Sequence, residues 1–550
     1  MRILGVSPLH DSTVAIINDG EVEIFYKEER FTRIKRDGHA LKTTFLALQN
    51  RFGPIDHVCI SSASNNGPEV PFLSTMLRKV LDCTVTDYCQ HHHLSHASLA
   101  FYNSGFDQAL IFVIDRDGAV IKDCMREAET VFLAEYPCEF TTLHKNFWVF
   151  KDKDTSEVEE ILKTLNYSYN IDSEMSITKV YETATTLIGQ KPLENGKTMG
   201  LAAYGTPKEF VSFFENGRPR DELFKHGEYT LEGYKTTIFK EYEDQRTNEI
   251  TEDNFQFYAD YAWQVQHQTQ KEVLRMVKEW VERTGVKKVC LTGGYALNVV
   301  TNEYLVKNLP DVTFYFEPLA DDSGNSLGAA LHLYYNITQD TAVRKLQHTF
   351  IHGIEDFPNF HGTECTVEDI AGFLEEQKTV AVFNGMAESG PRALGNRSIL
   401  FDPRNPIAKQ IVNEIKQREW YRPFAGVVLE ENFSDYFETH GLKKSEFMTI
   451  SFPCIRPKEI PGVVHVDGSC RIQTVSENIP HMYQLLNEFK NKTGCPVLLN
   501  TSFNLAGEPL VETLGDAMKT FWSSDIDILW FPEANTYVSK TEQNDNNFSQ

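Results

Sequence analysis

The sequence predicts an α/β protein of two or three domains, and three observations carry that expectation. The chain has 550 residues, more than a single hydrophobic core organises. Short apolar runs feed through polar, glycine-bearing loops into helical patterns. Lys288–Thr292 leads into Gly293-Gly294-Tyr295, and Thr313–Phe316 leads into Asp321-Asp322-Ser323-Gly324. Hydrophobic content of 41% with 24% charged residues is ordinary for a globular fold.

The elements follow in chain order. Arg2–Val6 and Thr13–Asn18 read as strands around a polar turn holding His10, Asp11 and Ser12. Asp19-Gly20 reads as a tight hairpin turn, with Val22–Tyr26 as the return strand. Val58–Ser61 and Ala109–Ile114 are further short strands, the second followed by Asp115-Arg116-Asp117-Gly118. From about Phe140 to Glu194 the chain is charged, Tyr-rich and weakly periodic, which predicts an inserted or irregular region. Tyr258–Val281 has apolar residues at helical spacing and reads as a core-packing helix. Tyr334–Phe360 reads as a boundary, and the buried strand Thr379–Phe383 opens the second domain. These readings divide the chain into domains over 1–345 and 365–540, with a polar, disordered tail over 541–550. No internal repeat is visible.

A formal net charge of -25 argues against a broad nucleic-acid surface, which needs a basic excess. Ten scattered cysteines without a CxxC pair fit free thiols in a reducing cytoplasm, and speak against a zinc knuckle. The N-terminus enters a strand pattern at once, so no signal peptide is expected. No apolar run is long enough to span a bilayer, so no membrane partner is expected either.

Five constellations carry chemistry. His92 and His96 stand at i,i+4, so on a helix both imidazoles share one face and one metal. Asp115 at a strand end and Asp322 in a loop complete a two-nitrogen, two-oxygen shell suited to iron, manganese or zinc. The plain alternative is a polar histidine cluster at a helix start. Gly293 and Gly294, and Gly324 in the second loop, either wrap an anion at a helix N-terminus or merely let elements pack closely. Lys27–Arg36 is a basic cluster, either a solvated face or a loop facing phosphate. Glu388–Arg404 sets Arg392, Arg397 and Arg404 among small residues, and guanidinium forks match phosphate or carboxylate oxygens. Lys416, Arg422 and Arg471, with Asn500, Thr501, Ser502 and Asn504 at a strand end, add cations and neutral donors. They make either one anion pocket or a set of separate surface ion pairs.

Together these segments resemble the NodU/CmcH family of O-carbamoyltransferases. The resemblance rests on Gly5–Ala15 with His10-Asp11-Ser12, on Glu29–Lys35, on His92–Ala97 and on Met199–Gly205. It continues through Gly293–Asn298, Asp322-Ser323-Gly324, Glu388–Arg404, Arg422–Phe424 and Asn500–Asn504, in family order over nearly the whole chain. The resemblance implies a duplicated actin/Hsp70-type ATPase fold at the N-terminus and a YrdC-like C-terminal domain. It implies that ATP, with its Mg, and carbamoyl phosphate form carbamoyl-adenylate in the second domain, and that an acceptor hydroxyl takes the carbamoyl group in the first. By the same resemblance His92, His96, Asp115 and Asp322 hold a divalent metal, with iron preferred over manganese or zinc. Gly293, Gly294, Asn298 and Gly324 bind nucleotide. Arg392, Lys416, Arg471, Asn500 and Ser502 bind carbamoyl phosphate, with the three cations and His10 in catalytic roles. The acceptor is expected to be a small molecule, with a hydroxymethylated base in DNA as the second possibility, and a homodimer is allowed. The sequence departs from the family's DGxGE turn at Asp115-Arg116-Asp117-Gly118-Ala119, which loses the Glu and gains Arg116. The competing readings are an actin/Hsp70-superfamily kinase or a non-catalytic ATPase that binds a partner, and a tRNA threonylcarbamoyl enzyme.

Overall fold

The computed structural model describes residues 1–540 apart from 9, 39–42, 45–52, 63–68, 122–123, 151–154, 173–174, 192, 209–211, 221–249 and 354–361. The expected tail over 541–550 lies outside the described residues. The chain folds into two compact units. One comprises Met1–Glu23 with Gly38–Gln347, and the other comprises Ile24–Asp37 with His348–Gln550.

The first unit holds two sheets built alike. In the first, β1 (Arg2–Ser7), β2 (Thr13–Asn18), β3 (Glu21–Lys27), β4 (His57–Ile60) and β5 (Thr84–Asp87) lie in the order β3-β2-β1-β4-β5. The second uses β6 (Gln108–Ile114), the short β7 (Val120–Ile121), β8 (Met125–Glu135), β9 (Glu139–Val149) and β10 (Ser168–Asp172). A two-stranded ribbon, β11 (Phe214–Glu215) and β12 (Arg218–Pro219), precedes its last members, β13 (Lys288–Thr292) and β14 (Thr313–Phe316). Its order is β10-β9-β8-β6-β13-β14. In the first sheet β1 pairs antiparallel with β2 and parallel with β4, which pairs parallel with β5; in the second β6 pairs antiparallel with β8 and parallel with β13, which pairs parallel with β14. The same order thus occurs twice, as β3-β2-β1-β4-β5 and as β9-β8-β6-β13-β14, with β10 added at the edge of the second sheet. The sequence shows no trace of it because strand order is set by crossovers, not by local residue pattern.

Asp19-Gly20 makes the expected tight turn, with φ of +49° and +84°. The predicted helix at Tyr258–Val281 is longer, Glu252–Thr284, because a Thr251/Asn254 capping box starts it and a left-handed Gly285 ends it. Phe140–Glu194 is not an irregular insertion. It supplies β9, β10 and the helices Thr155–Leu162 and Ile177–Leu187, and Phe147 packs with Cys124, Met125, Val158, Ile161 and Leu162. Periodicity misses it because most of β9 is half-buried and shows no clean apolar alternation.

Helix His92–Ser104 crosses helix Asn325–Thr338 at a close approach. A Cβ on Gly328 would fall 2.0 Å from the Ser95 carbonyl oxygen. Gly328→Ala therefore pushes the two helices apart. It should cost about 2 kcal/mol or more in urea unfolding, and lower metal affinity, because the helix carrying His92 and His96 moves.

The second unit is built on a nine-stranded mixed sheet. Its strands are β16 (Thr363–Glu364), β17 (Val380–Phe383), β19 (Arg397–Phe401), β20 (Ala425–Leu429), β21 (Ser451–Pro453), β22 (Ser469–Val475), β23 (Val497–Ser502), β24 (Ile528–Phe531) and β25 (Thr536–Ser539). They lie in the order β16-β25-β24-β17-β19-β23-β20-β22-β21. Phe383, Ile399, Phe503, Phe521, Leu529 and Phe531 form a core on it. Beside it, β15 (Phe350–His352) pairs with β18 (Ala387–Glu388), and His352 pairs with Phe25 of β3. The segment Ile24–Asp37, expected within the first domain, thus belongs to the second unit, and the unit boundary falls after Gln347. The expected boundary at Tyr334–Phe360 is partly regular, since the helix runs on to Thr338 and β15 follows.

Candidate active site

In the first unit the histidine pair is helical, as its spacing predicts. Helix His92–Ser104 brings both imidazoles to one face, Asp115 follows β6, and Asp322 sits in the 3-10 turn Asp322–Gly324. The four ligand atoms lie within 4.8 Å of one another. His92 Nε2 is 3.2 Å from Asp115 Oδ2 and 3.5 Å from Asp322 Oδ1, and His96 Nε2 is 3.7 and 3.3 Å from the same oxygens. Burial alone would push the His92 imidazole down, yet Asp322 and Asp115 lift it to about 10. Burial opposes the Asp322 charge, and the imidazoles of His92, His96 and His10 still hold it well below the usual carboxylate range. Two carboxylates and two imidazoles converging in a buried space need protons or a cation between them. The mixed nitrogen and oxygen donors fit a first-row divalent metal, with iron, manganese and zinc all compatible.

The surroundings fix these ligands. Gly294 N–H donates to Asp115 Oδ1 at 3.1 Å, which leaves Oδ2 facing the imidazoles. Gly293 has φ +83°, and a Cβ there would fall 2.5 Å from the Ile114 carbonyl oxygen, so this turn admits only glycine. Asn325 Nδ2 lies 3.1 Å from His96 Nε2, a contact that no motif or spacing signals. His10 is half-exposed, with Nδ1 3.4 Å from Asp11 Oδ2 and Nε2 3.5 Å from Asp322 Oδ2. The Asp11 hydrogen bond raises its pKa above the ordinary imidazole value, against the effect of burial. Asn298 caps helix Val299–Asn308 through Thr301 N–H, and its Nδ2 donates to Gln266 Oε1, so its side chain is spent inside a buried network. Gly324 is packed, because a Cβ there would meet the Leu319 carbonyl oxygen at 2.3 Å. Of the four residues assigned to nucleotide, only Gly294 is exposed.

In the second unit, strand register gathers the expected anion ligands. Ala425 of β20 lies directly opposite Arg471 of β22 on one side and Asn500 of β23 on the other. Opposed residues share a sheet face, so Arg471 and Asn500 flank a small alanine. Gln473 and Ser502 fall on the same face two residues further along their strands. Asn500 Nδ2 donates to Gln473 Oε1 at 3.0 Å, while Asn500 Oδ1 and Arg471 Nε are buried without a partner. Burial pushes the Arg471 guanidinium well below its ordinary value, and Arg392, Arg418 and Arg422 push further. Lys416 is likewise driven well down, by burial and then by Arg418, Arg422 and Lys35. Lys416 Nζ points at Ser502 Oγ at 3.2 Å, Asn504 O at 3.0 Å and Asn504 Oδ1 at 2.9 Å. The cations are therefore crowded together. Arg418 had not been singled out from sequence, because an Arg two residues past Lys416 reads equally well as solvated.

The arginine-rich loop divides. Arg404 pairs with Asp402, and Arg397 is buried, donates to the Asn384, Asn396 and Gly385 carbonyls and stacks on Phe383. Both hold the fold. Glu388 Oε1 accepts the amides of Leu394, Asn396 and Arg397, so the loop's N–H groups cradle the chain's own carboxylate. Arg392 alone of the three stands with the Arg471 cluster.

The basic cluster Lys27–Arg36 is neither a solvated face throughout nor a simple phosphate loop. Arg30 is 2% exposed and donates to the Glu388 and Gly390 carbonyls, while Arg33 donates to those of Leu510 and Pro509. Glu512 is buried here with His352 Nδ1 2.9 Å away. Burial opposes its charge, but His352, Arg30 and Arg397 hold it at about 2. A depressed carboxyl stabilises above its unfolded pKa and loses that contribution as pH falls through the folded one. Glu512 should therefore contribute on the order of 3 kcal/mol near neutral pH, lost between about pH 4.5 and 2. Acid titration of Glu512→Gln, followed by circular dichroism, should lack that limb.

No disulfide joins any of the ten cysteines, and among the described residues no helix is long and apolar enough to cross a membrane. The Carbamoyltransferase N-terminus family profile matches residues 71–331, and the Carbamoyltransferase C-terminus profile matches residues 371–539. An uncharacterised protein of Synechocystis sp. is 30% identical over 98% of this chain and 97% of its own length. Nodulation protein NolNO of Sinorhizobium fredii is 30% identical over 94% of this chain and 78% of its own. Full-length HypF in a phosphate- and nucleotide-bound form aligns with 61% of this chain and 56% of its own, at 14% identity and a TM-score of 0.37, a likeness too slight to bear on function. With both halves matched and relatives 30% identical along nearly the whole chain, the chain belongs to the carbamoyltransferase family.

Proposed function

We propose that this transferase makes carbamoyl-adenylate in its second unit and moves the carbamoyl group to an acceptor hydroxyl in its first. The observation that carries the reading is the strand register that sets Arg471 and Asn500 on either side of Ala425, with Arg392, Arg418 and Arg422 close enough to oppose the charge of Arg471, and Arg418 and Arg422 that of Lys416. Among the described residues Arg422 pairs with Glu419, and Arg471 makes no ion pair. Such a cluster needs an anion, and carbamoyl phosphate with ATP supplies several negative oxygens. A kinase or a partner-binding ATPase has no use for it.

In the first step the bond from the carbamoyl oxygen to phosphate is exchanged for one to the α-phosphorus of ATP. Water releases carbamate and phosphate from carbamoyl phosphate, a carbamate oxygen attacks the α-phosphorus, and pyrophosphate leaves. Arg471 and Arg392 stabilise the negative charge, and the unpaired Asn500 Oδ1 accepts from the carbamoyl NH2. In the second step the acceptor hydroxyl attacks the carbamoyl carbon and AMP leaves. His10, oriented by Asp11 and next to Asp322, takes the hydroxyl proton. A metal held by His92, His96, Asp115 and Asp322 would supply Lewis-acid polarisation of an oxygen. Gly294, exposed and without a side chain, lets the adenylate approach the backbone of its turn. The test is a mass-shift screen of hydroxylated compounds with ATP and carbamoyl phosphate. A carbamoylated product with matching AMP and pyrophosphate supports the reading, and ADP as the only nucleotide product defeats it.

A further inference from the structure

We propose that Asp117, Thr178, Glu182 and Trp148 form the acceptor-recognition site of this chain, and that the group they bind is uncharged and rich in hydrogen-bond donors. The proposal rests on the transferase reading above. The turn after the metal ligand Asp115 departs from the family pattern, and the structure gives that departure a partner. Arg116 Nε donates to Glu182 Oε2 on helix Ile177–Leu187, and Arg116 Nη1 is 3.3 Å from Asp117 Oδ2. Lys179 Nζ lies 3.3 Å from Asp117 Oδ1, and 3.2 Å from the ring centre of Trp148 on β9. The region 140–194 thus walls the turn that follows Asp115.

The four charges are Arg116, Lys179, Asp117 and Glu182, and they cancel. What remains unmet is polar and mostly accepting. Glu182 Oε1, Thr178 Oγ1 and Trp148 Nε1 are buried with no hydrogen-bond partner, and Asp117 Oδ1 has the Lys179 ammonium as its ion-pair partner. Glu182, Thr178 and Trp148 are at least nine-tenths buried as whole residues. Thr178 and Glu182 stand at i,i+4, so they share a helix face, and buried polar atoms left unpaired are costly unless a ligand or water meets them. The unpaired Glu182 oxygen, with the Asp117 carboxylate near it, repels a phosphate-bearing acceptor, and a balanced set of ion pairs gives a cationic one no net attraction. A polyhydroxylated group satisfies the set, because each hydroxyl donates to a carboxylate oxygen and can accept from the indole N–H. This disfavours DNA as the acceptor.

The full chain, with ATP and carbamoyl phosphate, is offered uncharged polyols (methyl glucoside, inositol), glucosamine, glucose 6-phosphate and an oligonucleotide bearing 5-hydroxymethylcytosine. Mass gain, AMP and pyrophosphate are read together. An uncharged polyol should be carbamoylated at least about tenfold faster than any charged probe. Glu182→Gln and Thr178→Val should each raise its KM about tenfold while leaving pyrophosphate release within about twofold. Thr178→Val breaks no ion pair, so its fold is secure. Carbamoylation of only a charged probe, of no uncharged one, or an unchanged KM in both variants overturns the proposal. Failure of the wild type to release pyrophosphate defeats the transferase reading itself, and the proposal with it.

Discussion

Arg471→Ala should abolish carbamoyl-phosphate-dependent pyrophosphate release, lowering it by about 100- to 1000-fold, the loss seen when one donor to a developing anion is removed. Arg471→Lys should not rescue it, because an ammonium cannot reproduce the planar fork and the Nε–H that lies unpaired beside Asn500. Thermal stability should hold or rise. Arg471 is half-buried near Arg392, Arg418 and Arg422, which oppose its charge, and deleting a repelled cation relieves the folded state. Activity lost together with stability gained would mark the guanidinium as functional rather than structural. Arg404→Ala is the control, since Arg404 is paired with Asp402, and it should retain full release. Wild-type rates in Arg471→Ala would sink the assignment of the second-unit site.

His92→Ala should separate the two half-reactions. His92 contacts both Asp115 and Asp322, so its loss removes one of four ligands and leaves two buried carboxylates less compensated. Metal content after gel filtration should fall by about 100-fold or more, and transfer to acceptor with it, while pyrophosphate release stays near wild type. Asn325→Ala, which removes an amide beside His96, should weaken metal binding by about tenfold, as loss of outer-shell partners does. Elemental analysis showing full activity in metal-free wild type would overturn the metal reading.

The two sites were not equally legible. The metal set could be read because i,i+4 spacing has only one consequence on a helix, and His92–Ser104 is helical. The cationic set was legible as a list of residues but not as a selection. Arg392, Arg397 and Arg404 look alike in sequence, yet one joins the Arg471 cluster and two hold the fold. The glycine loops divided similarly. Gly293 is demanded by its backbone angle and Gly324 by the Leu319 carbonyl, and neither requirement says where a nucleotide lies. Asn298 fits a ligand loop in sequence and serves as a helix cap in the structure.

By itself the sequence determined the α/β class, the family, the grouping of His92 and His96 on one helix face and the cationic character of the second half, because these follow from local periodicity, spacing and residue chemistry. Tertiary structure alone decided three things. It revealed the twice-repeated strand order, it placed Ile24–Asp37 in the second unit, and it turned Glu388 and Arg30 inward while leaving Arg471 crowded and unpaired. The physical reason is common to all three. Strand pairing and burial join residues hundreds of positions apart, and a side chain's charge has a role only once its neighbours and its access to water are fixed.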